Sequence, residues 1–171
     1  MMSRVNIVLA WGLLLVPSNV SANLQSNDES ALRGMRGVSV TVKHIHVERE
    51  PQSPTKDEIK SNVEGWLHDA NIQVLTLEQM WNAPGQPGLD VIAGMNSCTG
   101  TCPVYYVELR LLRKVSIEDD PTLKTRAAVW QSGPMIGVGE KHSPGNSIGF
   151  EEALREAVRG FIASYLHANG K

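Results

Sequence analysis

Between residues 103 and 117 the chain alternates. Tyr105, Val107, Leu109 and Leu111 fall on one side of an extended backbone, and Tyr106, Glu108, Arg110 and Leu112 fall on the other. That is the period of a half-buried strand. It is the longest such run in the sequence and has strand-like neighbours on both sides, so it predicts a central antiparallel strand. Residues 89–95 before it and 123–130 after it complete a three-strand meander, turned at 96–102 and at Glu118-Asp119-Asp120-Pro121. The pattern leaves open whether the last strand runs on past Ser132-Gly133-Pro134 into 135–138 or ends in a small separate hairpin.

Upstream, residues 38–47 read as a first strand. Val38, Val40 and Val42 share a side with His44 and His46, whereas Ile45 and Val47 lie opposite, so the apolar side changes part-way, as at a bulge or where both faces become buried. Thr55 with Glu58 has capping-box spacing and opens a helix whose stripe is Ile59, Val63, Trp66, Leu67 and Ala70. Asn71 suits its carboxyl end, where a left-handed residue is needed. Residues 72–75 form a short strand. Thr76 with Gln79 repeats the capping box and predicts one helical turn over 77–81, followed by the Ala83-Pro84-Gly85-Gln86-Pro87-Gly88 loop. The clearest amphipathic helix closes the chain over 148–167, with Leu154, Ala157, Val158, Phe161, Ile162, Tyr165 and Leu166 on one stripe. The order strand, helix, strand, three-strand meander, helix predicts an α+β fold. Its form is a two-layer sandwich with a mostly antiparallel sheet, a β-α-β start and the C-terminal helix on one face.

The amino terminus changes the picture of where the protein works. Arg4, an apolar run over 5–16, the break at Pro17-Ser18-Asn19 and the small residues Val20-Ser21-Ala22 have the layout of a secretory signal peptide cleaved after Ala22. The apolar run is shorter than the roughly 20 residues of a spanning helix; an uncleaved anchor is the alternative. The expected organisation is signal peptide 1–22, disordered leader 23–31 and a single α+β domain 32–171, exported to the periplasm or secreted. The chain carries 16 Lys and Arg against 18 Asp and Glu, and losing Arg4 makes it more acidic, so no nucleic-acid partner is expected. No membrane span is expected once the signal is removed.

Element order, Trp130 near the end of the last long strand and the closing Phe161-Ile162-Ala163-Ser164-Tyr165-Leu166 helix together carry a resemblance. The chain resembles small secreted bacterial proteins of unknown function. In layout it is more distantly similar to the amino-terminal domain of the Tol–Pal translocation protein and to envelope lipoproteins of the curli-secretion type. The resemblance implies the sandwich over most of the mature chain and carries no functional residues over. No cysteine stands directly after the expected cleavage site, where Asn23 follows Ala22, a departure from the lipoproteins.

Candidate chemistry is sparse. Cys98 and Cys102 are the only cysteines, and in an oxidising compartment such a pair predicts a disulfide. With Thr99, Gly100 and Thr101 between them the ring would hold a hairpin tip in one shape that a partner could read. A redox pair has two intervening residues at a helix start, which this is not. His44, His46 and Glu48 lie in one row of the first strand and could offer two imidazoles to zinc or copper, with His68, His142 or His167 as a third ligand; the alternative is a solvated strand end. Gly145-Asn146-Ser147-Ile148-Gly149 spells a nucleophile elbow, but a polar loop precedes it where the elbow needs a buried strand, so Ser147 reads as a helix cap. Gly133, Gly137 and Gly139 read as turn or bulge glycines, and the acids 118–120 as a solvated turn. Trp66 and Trp130 are assigned to the core. Trp81 is the large aromatic available for a partner, unless it is buried against the first helix.

These features favour a non-catalytic secreted or periplasmic module that binds another cell-envelope protein, with no cofactor. The alternative is a metal-binding periplasmic protein using His44 and His46; no enzyme activity is expected. If Cys98 and Cys102 form the ring, alkylation of the exported protein without reductant labels neither and alkylation after reduction labels both. Because so short a ring restricts the unfolded chain little, replacing both by serine should cost only about 1–2 kcal/mol.

Overall fold

The computed structural model describes residues 29–44, 54–97, 103–138 and 148–171. A single 3-10 turn, Glu29–Leu32, begins it, a little ahead of Leu32 where the pattern places the start of order. The strands are β1 (Gly37–His44), β2 (Gln73–Val74), β3 (Gly88–Ser97), β4 (Pro103–Ser116), β5 (Lys124–Gln131) and β6 (Met135–Val138). The helices are α1 (Lys56–Asp69), α2 (Leu77–Asn82) and α3 (Ile148–Ala168). The fold is α+β: a mixed sheet in the order β2-β1-β3-β4-β5, with β6 also beside β4 and the C-terminal helix packed on one face. Its β-α-β start is parallel, β1 pairing with β2 and β3, and the meander is antiparallel. Among the described residues no helix is long and apolar enough to cross a membrane.

Both capping boxes form. Glu58 and Gln79 each accept from the amide of the threonine that caps them. α1 ends in a left-handed Asn71 (φ 56°), with Asn71 N–H donating to His68 O and Ile72 N–H to Leu67 O. That is the double-bonded carboxyl cap, and it folds buried Ile72 back over buried Leu67. Gly170 (φ 65°) closes α3 in the same way.

Register explains the two faces. Residues opposite one another on neighbouring strands share a side of the sheet. Val40, Leu89, Leu111 and Trp130 therefore make one buried row across four strands, and half-buried Val42 with buried Val91 and Leu109 another. α1 covers this face with Ile59, Val63 and Leu67, and α3 with Phe150, Leu154, Ala157, Val158, Phe161 and Tyr165. Trp130 is core, edge-to-face on Phe161 at 5.2 Å, whereas Trp66 is half-buried under the Arg155 guanidinium.

β6 answers the question left open by the sequence. β5 pairs with β4 over Arg110–Ser116 and β6 over Val104–Val107, so both run along the same side of β4 as one interrupted strand. Gly133 (φ 75°) makes the break, and Ser132 repairs the ladder there. Its N–H donates to Leu109 O (2.9 Å), and its Oγ accepts from Leu109 N–H (3.0 Å). Gly137 is a different case from the turn or bulge residue expected: it sits in a strand opposite Tyr105, whose ring lies where a Cβ would be.

The ends of the described chain are clasped together. Tyr165 Oη donates to Met35 O (2.7 Å), Asn169 Nδ2 donates to Leu32 O (3.1 Å), and Gly34 N–H donates to Asn169 Oδ1 (2.9 Å). Ser132→Ala tests the repaired ladder. It strands the amide of fully buried Leu109 and should cost about 1–3 kcal/mol, read as a lower midpoint in urea with an unchanged slope.

Candidate functional site

α2 is two turns long and presents its apolar side chains in opposite directions. Met80 is buried at 2% exposure, while Leu77 and Trp81, four residues apart and hence on one stripe, are 61% and 47% exposed. The capping box fixes the amino end of this helix. Its carboxyl end is held by the following loop, where Gln86 Nε2 donates to Trp81 O (3.2 Å) and Lys114 N–H to Gly85 O (2.8 Å). Gly85 (φ 74°) and Gln86 (φ 47°) supply the left-handed turn this needs. Arg126 of β5 reaches over to donate to Gln86 O (3.4 Å) and lies 5.4 Å from the Trp81 ring centroid, within cation–π range. The indole is thus exposed and already oriented.

Leu77 also lines an open groove of about 620 Å³. The outer edge of β1 (Val40, Val42), the first turns of α1 (Lys56, Asp57, Lys60) and the β2–α2 corner (Leu75, Thr76) form its sides. A smaller hollow of about 370 Å³ lies on another side of α2, against Gly34–Gly37 and Gln73.

The uncovered face of the sheet carries a charged network. Tyr106, Glu108 and Arg110 project from one side of β4 at strand spacing. Arg110 grips Glu108 with two bonds (Nε–Oε1 2.6 Å, Nη2–Oε2 2.9 Å), and the Tyr106 hydroxyl donates to the same carboxylate. Lys43 pairs with Asp90 at 2.5 Å on the neighbouring strands, Asp90 lying directly opposite Arg110. Burial works to raise the Glu108 carboxyl, but the bonds from Arg110 and Tyr106 and the arginine's charge outweigh it, leaving Glu108 below the usual carboxylate range. Burial, then the bond to Glu108, pushes the Tyr106 hydroxyl up. The i, i+2 spacing of a tyrosine, an acid and an arginine was visible in the sequence; in the fold it gives a polar face whose members bond one another.

The sequence candidates are dispersed. Cys98, Thr99, Gly100, Thr101, Cys102, His46, Glu48, His142 and Ser147 lie outside the described residues, and of His44 only the backbone, opposite Ala93, is described. His68 is exposed on α1, and His167 pairs with Glu29 at 2.5 Å near the clasp. Among the described residues no group of three or more His, Cys, Asp or Glu is placed to hold a metal ion. Asp120 caps its own turn, accepting from Thr122 N–H (3.0 Å) and Oγ1 (2.6 Å). Trp81 is the one sequence candidate whose side chain stands in a described, accessible site; Leu77 escaped the sequence reading because its neighbours left its side of α2 undefined. The chain matches no protein-family model and no curated protein.

The carboxylates set the acid limit. Glu108, Glu58 and Asp120 all sit below their ordinary values. Each therefore contributes stability that is complete above the ordinary carboxylate value and is lost as pH falls through the lowered one. Thermal midpoints should be flat near neutrality and fall below the ordinary glutamate value of 4.5. Glu108→Gln should be less stable at neutral pH and lose less on acidification.

Proposed function

We propose that this protein is a non-catalytic, exported module that binds another protein of the cell envelope, with the Leu77–Trp81 stripe of α2 as its docking surface. The observation that carries the reading is the 47% exposed Trp81, fixed under Arg126 and beside exposed Leu77. Soluble proteins hide an indole unless something else covers it, and tryptophan and arginine are the residues most enriched where binding energy concentrates. Arg126 lies over the ring and Gln86 holds the Trp81 carbonyl before any partner arrives, so docking would incur little ordering cost. The signal-like amino terminus and the resemblance in layout to envelope proteins support an extracytoplasmic setting. The polar network on the sheet's open face supports a binding role over catalysis, since its carboxylate is already gripped by Arg110 and Tyr106.

The test is capture from solubilised envelope by the purified protein, with Trp81→Ala run alongside. At least one envelope protein should be retained by the wild type and reduced about thirtyfold or more by the substitution, the loss expected for a hot spot of about 2 kcal/mol. Unfolding free energies of the two proteins should stay within about 1 kcal/mol of each other, because the ring buries little against its own fold. Equal capture by both would remove the surface from consideration.

A further inference from the structure

The groove beside Leu77 has a wall of unused backbone. β2 pairs with β1 only at Gly37↔Gln73 and Val38↔Val74. Its last rung is Leu75 N–H donating to Val38 O at 2.8 Å. The capping box at Thr76 then turns the chain out of the sheet into α2. β1 continues to His44, paired on its other side with β3. Ser39 N–H donates to Pro87 O (3.1 Å) on that β3 side. Strand groups alternate in direction, so Ser39, Thr41 and Lys43 aim their N–H and C=O at β3, whereas Val40 and Val42 aim theirs outward into the groove. No hydrogen bond to those outward groups is made by another described residue.

Resting on the binding role proposed above, we infer that the partner is engaged through an extended peptide segment that adds as a strand to the outer edge of β1 at Val40 and Val42. Two donors and two acceptors about 6.7 Å apart match another extended backbone; a helix has its own groups internally paired, and an apolar surface would leave these bare. Side chains of an added strand fall in the rows of β1. Those beside Val40 and Val42 would face the groove, whose apolar members are Val74, Leu75 and Leu77 and whose rim is Lys56, Asp57 and Lys60. Those beside Thr41 and Lys43 would face solvent. The segment therefore has apolar residues at alternate positions, polar ones between them, and an end directed at Leu77 and Trp81. The opposite edge of the sheet contrasts with this one. β5 is lined by exposed Lys124, Thr125 and Arg126 and is broken after Gln131, the means by which edges are kept from pairing. The edge at Val40 and Val42 is unbroken to His44 and has valines on the groove side, with exposed Thr41 and Lys43 on the other.

The test offers the full chain a displayed library of linear peptides about ten residues long, then reads amide hydrogen exchange residue by residue with a selected peptide. The Val40 and Val42 amides should gain at least about tenfold protection, and N-methylation of alternate peptide residues should abolish binding. Val42→Pro removes one outward N–H while the β3-facing donors stay, and should weaken binding about tenfold. The exchange measurement needs no substitution, so it decides the matter even if the proline variant does not fold. Protection of both amides by the protein's own concentration, with no peptide present, would replace the peptide by a second copy and overturn the inference. A library that yields no binder, or binders that leave both amides unprotected, overturns it too, while envelope capture judged through Trp81 separately decides the binding role.

Discussion

Everything else in this structure depends on β4 being paired along both edges. One edge is met by β3 over its whole length, the other by β5 and β6 in succession. Over residues 103–112 the β3 side is taken up by pairing, and beyond it Lys114 N–H donates to Gly85 O, so the side chains decide what covers the strand. Val107, Leu109 and Leu111 on one side are fully buried beneath α3. The demand for continuous pairing gives Ser132 its unusual place: where Gly133 breaks the neighbouring strand, the serine's N–H and hydroxyl together meet the carbonyl and amide of Leu109. Trp130, immediately upstream, lies on Phe161 with its Nε1 unpartnered among the described residues.

The same strand explains why there are two layers and not three. Its second face carries Tyr106, Glu108 and Arg110, which satisfy one another, with Asp90 and Lys43 beside them on β3 and β1. A carboxylate held by a two-pronged arginine is shielded without a covering helix. Under the proposed binding role, recognition would fall to the sheet's margin, where the connection after β2 leaves the plane early and α2 turns its indole outward.

Much of this was legible in the sequence wherever the signal is local. Thr55 with Glu58, Thr76 with Gln79, and Asn71 were readable because each cap is built from residues within four positions of one another. The alternation in β4 and the stripe of α3 were readable because burial on one side imposes the period. Strand order was not, since the placing of β1 between β2 and β3 rests on Val40 meeting Leu89, nearly fifty residues away. The exposure of Trp81 was undecidable from composition; it follows from Met80 taking the inward position. Gly137 looked like a turn residue because nothing local reveals that Tyr105 lies across it.

The clasp between Gly34 or Leu32 and Asn169 spans more than 130 positions of chain. Its consequence concerns order in time. A chain emerging from its amino end cannot close this contact until α3 has been delivered whole, so the first-made segment waits longest for its partner. Over that interval β1, β3 and β4 have no α3 to cover their valines and leucines, and the nascent protein is at its most adhesive. A product cut short before Asn169 lacks the clasp, however much of the sheet it contains.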